Sequence, residues 1–320
     1  MAATGDQGTN GGWWSRWVRA PQGVGLRKAI FQVHLWTGVG LGLYIFVISA
    51  TGSVLVYRNE LYRHFSPQPV VVDGAGASLG DDALDRAARQ AWPGFEVADV
   101  RPGETPNHAV EITLTRDGDR MRRLFDPFTG EDLGDPLPLG YRVSAWVLDL
   151  HDNLLAGETG RRVNGIGALF LLAMSVTGAV IWWPGARRWR RSLVVDPRRL
   201  NWSLHSACGF WFWPFLMMWA VTGAYLSFPA AFMAVVDYLE PFDPSDPVER
   251  FGDRVMYWLA YLHFGRLGGR GIPGCGSLCN STTKAIWALV GLVPPALFVT
   301  GAVMWWNRVV RRWLKPGAAA

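Results

Sequence analysis

The sequence predicts a mainly α-helical membrane protein with four transmembrane helices and one small α+β module. Four apolar runs are each about 20 residues long or longer, which is the length that spans a bilayer core. Charged residues are divided unequally between the segments that separate these runs. The third and fourth runs also repeat features of the first and second, so the membrane part is predicted to be a duplicated two-helix unit.

The boundaries follow the ends of the apolar runs. From the N-terminus we predict a cytoplasmic flexible arm (1–28), TM1 (29–57), an external module (58–140), a juxtamembrane helix (141–162), TM2 (163–184), a cytoplasmic basic loop (185–201), TM3 (202–228), an external segment with a second juxtamembrane helix and a CGSLC loop (229–282), TM4 (283–307) and a cytoplasmic tail (308–320).

The charge distribution predicts the orientation. The two external segments hold 24 of the 26 acidic residues, whereas the arm, the basic loop and the tail are rich in arginine. The positive-inside rule therefore places both termini in the cytoplasm. The first run is too long for a cleavable signal peptide, and we expect it to be a retained anchor. Arginines at membrane edges set orientation, so no nucleic-acid site is predicted, and no nucleotide-binding motif is present.

Two ten-residue blocks carry the duplication outside the membrane. Residues 142–151 read RVSAWVLDLH and residues 254–263 read RVMYWLAYLH, with five identities at equal offsets. Each block precedes a span that contains Val-Thr-Gly followed by a pair of tryptophans. The second copy has 11 more residues between its histidine and its Thr-Gly pair than the first.

Four histidines recur in register with this duplication. His34 and His205 each precede a threonine by 17 residues, whereas His151 and His263 end the two external blocks. Seventeen helical residues span about 26 Å, so the two histidine pairs are predicted at opposite membrane faces. Neutral imidazole is a good iron ligand, and two histidines facing each other across a helix bundle form a bis-histidine haem site. Helix capping or contact with lipid headgroups is the alternative interpretation.

Four Thr-Gly pairs are predicted at the depths of these histidines. The pairs in TM1 and TM3 lie at the depth of His151 and His263, and those in TM2 and TM4 lie at the depth of His34 and His205. A missing side chain beside each ligand would let a flat macrocycle approach the backbone, although small residues also serve helix packing. The pairs are Thr51-Gly52, Thr177-Gly178, Thr222-Gly223 and Thr300-Gly301.

The external module has a helical pattern followed by a hairpin pattern. Residues 78–92 predict a helix with Ser78 as its N-cap. Residues 108–115 and 120–125 predict two strands that flank a turn at 116–119. His64 and His108 have no repeat partner, and both are interpreted as structural.

Other candidate residues lie near the histidines. Cys275 and Cys279 fall in an external loop, where a disulfide or a redox-active pair is possible, while Cys208 is interpreted as a small apolar residue. Several basic residues could pair with haem propionates or could be ordinary interfacial charges. They are Arg161, Arg162, Arg266 and Arg270 outside, and Arg27, Lys28 and Arg198 inside.

Several of these motifs also occur in a known family. The HLWTG start of TM1, the Thr-Gly spans, LHDNLL at 150–155, WWPG at 182–185 and FDPFTGEDLG at 125–134 resemble PepSY-associated transmembrane proteins. Within these, the chain is similar to bacterial iron-regulated inner-membrane proteins and ferric-siderophore reductases. The resemblance implies a periplasmic PepSY-like module and two haem b groups, one near each membrane face, held by His34, His205, His151 and His263.

The resemblance also implies a function. We expect a bacterial inner-membrane electron-transfer protein that reduces a periplasmic ferric-siderophore, or another ferric complex, with electrons from quinol or a reductase. One alternative is a non-enzymatic regulator or assembly factor that acts through the module. Another is a quinol- or thiol-linked haem oxidoreductase that uses Cys275 and Cys279.

Overall fold

The computed structural model describes residues 13–74, 76–245, 248–266 and 277–314. These residues form two units, one of residues 1–56 with 147–320 and one of residues 57–146. The α-helices are α1 (Trp13–Arg19), α2 (Gly25–Leu55), α3 (Arg58–His64), α4 (Asp81–Ala91), α5 (Leu139–Asn153), α6 (Gly157–Trp182), α7 (Leu200–Trp211), α8 (Trp213–Ser227), α9 (Pro229–Leu239), α10 (Phe251–His263), α11 (Ser277–Val290), α12 (Val293–Trp305) and α13 (Arg311–Trp313). The strands are β1 (Glu96–Arg101), β2 (Val110–Arg116), β3 (Asp119–Phe125) and β4 (Asp132–Gly134).

The larger unit is a membrane bundle. Three helical segments are long and apolar enough to cross a bilayer: Gly25–Leu55, Gly157–Trp182 and Asn280–Val310. A fourth span results if the bent pair α7 and α8 crosses as one segment. The chain is therefore a membrane protein with three to four transmembrane helices.

The four membrane segments pack as a ring. α2 packs against α6 and α12, and the α7–α8 pair packs against the same two helices from the other side. The first and third segments are consequently diagonal to each other. This arrangement leaves the interior of the ring between α2 and the α7–α8 pair.

The third segment differs from the continuous span that the sequence predicts. α7 and α8 meet at Phe212 with a bend of 62°. Pro214, in the first turn of α8, has no N–H, and its ring would clash with a carbonyl of the preceding turn. The break is stabilised by the Trp213 indole, which donates to the Ser175 carbonyl of α6 at 3.0 Å.

The N-terminal stretch predicted as a flexible arm contains defined structure from residue 13 onward. α1 is followed by a short 3-10 helix at Pro21–Gly23, and α2 begins at Gly25, four residues before the predicted start of TM1. Pro21 and Val24 are buried. The Val18 carbonyl accepts a hydrogen bond from the Ala186 N–H, so this stretch packs on the loop after α6.

The smaller unit contains a four-stranded antiparallel sheet in the order β1-β2-β3-β4. The predicted hairpin is present, with Arg116 paired to Asp119 and positive φ angles at Asp117 and Gly118. The predicted N-cap at Ser78 is wrong, because α4 starts at Asp81 with Gly80 at the cap position. β1 and β4 were not predicted, since the sequence of β1 (EVADVR) does not alternate clearly and β4 has three residues.

One face of this sheet carries the hydrophobic core of the smaller unit. Ile112, Leu114 and Phe125 are fully buried against α4, which contributes Leu84 and Ala88. Alternation along β2 puts its apolar residues on this face and its polar residues on the other.

Asp132 links three elements around this core. Arg123 of β3 forms a bidentate ion pair with it, and the indole of Trp92 donates to its Oδ2 at 2.9 Å. Burial alone would raise the pKa of Asp132, but the hydrogen bonds from Arg123, the Gly134 N–H and Trp92 lower it below its usual value.

We expect Asp132→Ala to destabilise the sheet by about 1–3 kcal/mol, because Arg123 and Trp92 lose a charged acceptor. The measurement is hydrogen exchange of β3 and β4 in the full chain, corrected for intrinsic rates. Since the folded pKa is depressed, the stabilisation is present at neutral pH and is lost as the pH falls below about 4. Asp85→Asn, in an exposed pair with Arg89, is the control and should have little effect. Equal protection in both variants at pH 7 would contradict this.

Candidate functional site

Two histidine pairs lie inside the membrane unit, and the first of them joins the diagonal segments α2 and α7–α8. His34 of α2 faces His205 of α7, with ring centroids 6.4 Å apart and ring planes nearly perpendicular at 88°. We call this the inner pair. The sequence predicted that these two residues would meet, and the helix ring brings them together across its interior.

The second pair, which we call the outer pair, comes from helices that are not spans. His151 lies near the end of α5 and His263 is the last residue of α10, and their ring centroids are 6.2 Å apart. After His151 the chain turns sharply through Leu154 and Leu155, which have positive φ angles, into α6. This tight turn holds the end of the histidine helix against the start of a span.

Each of the four imidazoles meets one Thr-Gly threonine through its Nδ1 atom. His34 contacts Thr177, His205 contacts Thr300, His151 contacts Thr51 and His263 contacts Thr222; the Nδ1 to Oγ1 distances are 3.1, 3.0, 3.2 and 2.9 Å, respectively. The structure thus brings together every histidine with the threonine predicted at its depth.

The direction of these hydrogen bonds determines the histidine tautomer. Every one of the four threonine hydroxyls donates to the carbonyl four residues earlier in its own helix, for example Thr177 to Ala173 at 2.8 Å. The hydroxyl oxygen is then left to accept from the histidine Nδ1–H. His151 Nδ1 is also 2.9 Å from the Ile48 carbonyl, which can only accept. We therefore assign the proton to Nδ1, which leaves the Nε2 lone pair available for a ligand.

The four glycines make room for the imidazole rings. A Cβ atom on Gly52 would lie 2.9 Å from the Cε1 atom of His151, and one on Gly178 would lie 3.2 Å from that of His34. The corresponding distances are 3.3 Å for Gly301 with His205 and 3.9 Å for Gly223 with His263. From the sequence, these glycines were expected to make room for a flat macrocycle. The structure shows them against the histidine rings themselves.

The outer histidines are held as neutral imidazoles. Burial lowers the pKa of His151, and burial together with the neighbouring His151 ring lowers the pKa of His263 to about 3. Neutral imidazole is the form that binds a metal ion. The outer pair is therefore in the correct protonation state for a ligand at neutral pH.

The spacing of both pairs fits two imidazoles that share one metal ion. Nitrogens about 2 Å from a metal ion on opposite sides place the two ring centroids about 6 Å apart. Among the described residues no group of three or more His, Cys, Asp or Glu side chains could hold a metal ion. Two axial histidines suffice only where another group supplies the equatorial ligands, as the four nitrogens of a haem do. The donor set and spacing fit haem.

The other predicted candidates are placed differently. Arg161 pairs with Asp152 and Arg162 with Glu158, whereas Arg266 lies over the Phe264 ring. Lys28 and Arg198 are exposed, and Arg27 donates to the Ile181 carbonyl. Arg270 and Cys275 lie outside the described residues, as does the side chain of Cys279.

Two supporting residues were missed from the sequence. Asn164 of α6 donates to the His151 carbonyl at 2.6 Å, and the Trp287 indole of α11 donates to the Leu262 carbonyl at 2.7 Å. Each satisfies a free carbonyl at the end of a histidine helix. Asn164 and Trp287 each lie 13 residues before the threonine of the Thr-Gly pair in the same span. An alignment of the two halves of the sequence would therefore have shown that their positions are equivalent.

The fold and the paired histidines define a polytopic membrane protein in which two pairs of histidine rings contact each other. The chain belongs to the family described as PepSY-associated TM region, which matches residues 31–250 and 240–308. No curated protein matches the chain.

The glycine contacts predict that Gly52→Ala destabilises the protein and Gly223→Ala does not. The first substitution forces His151 to move, at a cost of about 1–3 kcal/mol for overpacking, whereas the second adds an ordinary contact. A Gly→Ala substitution raises the helix propensity equally at both positions, so each variant is the control for the other. Thermal unfolding in detergent should give an apparent Tm several degrees lower for Gly52→Ala alone. Equal Tm values for the two variants would refute the assigned packing.

Proposed function

We propose that this protein binds two haem b groups, one at each histidine pair, and passes electrons across the membrane. The observation that carries the proposal is the repeated geometry of the two pairs. In each, two imidazole rings lie with their centroids 6.4 or 6.2 Å apart and could hold one haem between them, and each ring has its Nδ1–H hydrogen-bonded to a threonine. Bound haem supplies one-electron redox chemistry, and the protein supplies its ligands and surroundings.

The chain's own residues would set how easily each site is reduced. The threonine oxygen accepts a hydrogen bond from Nδ1–H, which would make Nε2 a stronger electron donor to a bound iron and would favour its ferric state. The threonines also fix each ring in one orientation. Glycine beside each ring keeps the imidazole close to the neighbouring span.

The two sites would connect the two sides of the bilayer. Along α2, His34 and Thr51 are 17 residues apart, which corresponds to about 26 Å. Thr51 bonds to His151, so the same helix spans the distance between the inner and the outer site. The charge pattern supports an inner membrane location with both termini cytoplasmic, and the outer pair in the periplasm.

The proposed reaction is the one-electron reduction of a periplasmic ferric complex, such as a ferric-siderophore. One electron from a cytoplasmic or membrane donor, quinol or a reductase, converts Fe³⁺ to Fe²⁺, which binds hard oxygen ligands more weakly. Within this proposal the membrane part is a duplicated two-helix unit and residues 58–140 form a PepSY-like module. The repeated histidine–threonine contacts and the family match support it.

The first test is the visible spectrum of the purified protein with a pyridine haemochrome count. We expect about two low-spin b-type haems per chain. The double variant His34→Ala/His205→Ala should retain one haem, whereas His34→Ala/His151→Ala should retain none. His64→Ala is the control and should retain both. A colourless wild type, even when haem is supplied during expression, would favour the regulator instead.

The second test is reduction of a ferric chelate by protein-containing vesicles with an internal electron donor. His151→Ala should lower the rate at least tenfold, because the outer site would lose an axial ligand. Cys275→Ser/Cys279→Ser should leave the rate unchanged. If the cysteine variant loses activity while haem content is retained, the thiol-linked alternative is correct.

The third test concerns the threonines. Thr177→Val removes the acceptor for His34 Nδ1 without changing side-chain shape greatly, so the reduction potential of the inner haem should rise. Thr113→Val on β2 is the control. An unchanged potential, measured by spectroelectrochemistry, would show that the hydrogen bond does not tune the site.

A further inference from the structure

Three N–H groups at the inner end of the bundle are buried without a hydrogen-bond partner among the described residues. They are Arg27 Nε, Trp182 Nε1 and Trp305 Nε1. Buried donors are almost always satisfied, so each such group requires a physical explanation. All three are donors and one carries a full positive charge, which points to a missing anionic acceptor.

The three donors lie on the helix faces that surround the inner pair. Trp182 is four residues after Gly178, and Trp305 is four residues after Gly301. Those two glycines face the rings of His34 and His205, so each tryptophan lies one turn further along the same face. Arg27 lies seven residues before His34, two turns away on its face, and its guanidinium reaches α6 at Ile181.

The segments around these donors that the structure describes offer no acidic side chain as an acceptor. Residues 13–35 and 300–320 contain no Asp or Glu, and Asp196 is the single acid within 182–212. Its carboxylate accepts from the Arg198 N–H and caps a short helix. These described segments therefore leave Arg27 without a carboxylate partner, and a bound molecule can supply the anion.

The outer site is built differently at the equivalent positions. One turn beyond Gly52 and Gly223 lie Val56 and Ser227, and neither has a tryptophan-like donor. Three buried donors without a partner thus distinguish the inner site from the outer one. A π-helical turn at Trp306–Val310 directly follows Trp305, and such turns are frequent at functional sites.

We infer that Arg27, Trp182 and Trp305 form a binding subsite for an anionic oxygen group next to the inner histidine pair. The ligand chemistry is a carboxylate or phosphate that accepts one charged and two neutral N–H donors. Its source is a propionate of the inner haem, in which case the subsite rests on the proposed function, or the phosphate of a bound lipid.

The test uses full-length protein carrying His151→Ala, so that only the inner site holds haem. Trp182→Phe, Trp305→Phe and Arg27→Gln each remove one donor and keep most of the side-chain volume. Trp183→Phe and Trp306→Phe are matched controls, because these neighbours are not among the buried donors without a partner. Two quantities are measured: the rate of haem loss to apomyoglobin, and the affinity for haem relative to its dimethyl ester, in which the carboxylates are blocked.

If the ligand is a propionate, each donor variant should lose haem about tenfold faster, while the controls behave as the parent. The parent should also prefer haem to its ester by about tenfold, and the triple variant should lose that preference. If the ligand is a lipid phosphate, the ester preference is absent, and native mass spectrometry shows a phospholipid that the donor variants release.

Failure of the subsite and failure of the proposed function give different results. A parent that binds haem, shows no ester preference and retains no phospholipid would overturn the subsite and leave the dihaem proposal intact. A wild type and a parent that both lack haem would refute the dihaem proposal. In that case the mass-spectrometric measurement of bound lipid is the remaining test of the subsite. If no phospholipid is bound that the donor variants release, the subsite is overturned as well.

Discussion

The hydrogen bond from a histidine Nδ1–H to a threonine hydroxyl is the interaction on which the membrane unit depends. Within each half of the chain it joins two different helices: His34 to Thr177, His151 to Thr51, and the same arrangement again in the second half. The contacts between histidines join the two halves instead. The threonine bonds therefore build each half, and the imidazole pairs form where the halves meet.

The low dielectric constant inside the helix bundle explains why each histidine Nδ1–H has a threonine acceptor with a glycine next to it. An unpaired imidazole N–H inside a bundle would be costly, so each has an acceptor. The threonine can serve because its own proton is used by a helix carbonyl. Glycine next to it allows the ring to approach closely enough for the bond, and this accounts for Thr and Gly occurring as adjacent residues.

The two histidine pairs make equivalent threonine contacts and have different surroundings. The inner pair is flanked by the Arg27 Nε–H and by two tryptophan indoles, and these three N–H groups lack a partner in the described chain. At the outer pair, the corresponding support comes from Asn164 and Trp287, whose donors are satisfied by the ends of the histidine helices. Asn164 also bonds to the hydroxyl of Tyr44, whereas Trp287 packs on Phe215. The two pairs thus share their histidine–threonine contacts and differ in the residues that lie behind them.

The sequence alone determined the membrane class, the approximate spans, the hairpin of the smaller unit and the depth at which each histidine meets a Thr-Gly pair. These depend on hydropathy, turn residues and helical rise, which are local properties. Tertiary structure decided the bend at Phe212, the start of α4 at Asp81 and the strands β1 and β4. It also decided that the glycines face imidazole rings and that Arg27, Trp182 and Trp305 are left with buried donors. Spacing along one helix gives the depth of a residue, but its partners depend on how the helices rotate and pack together.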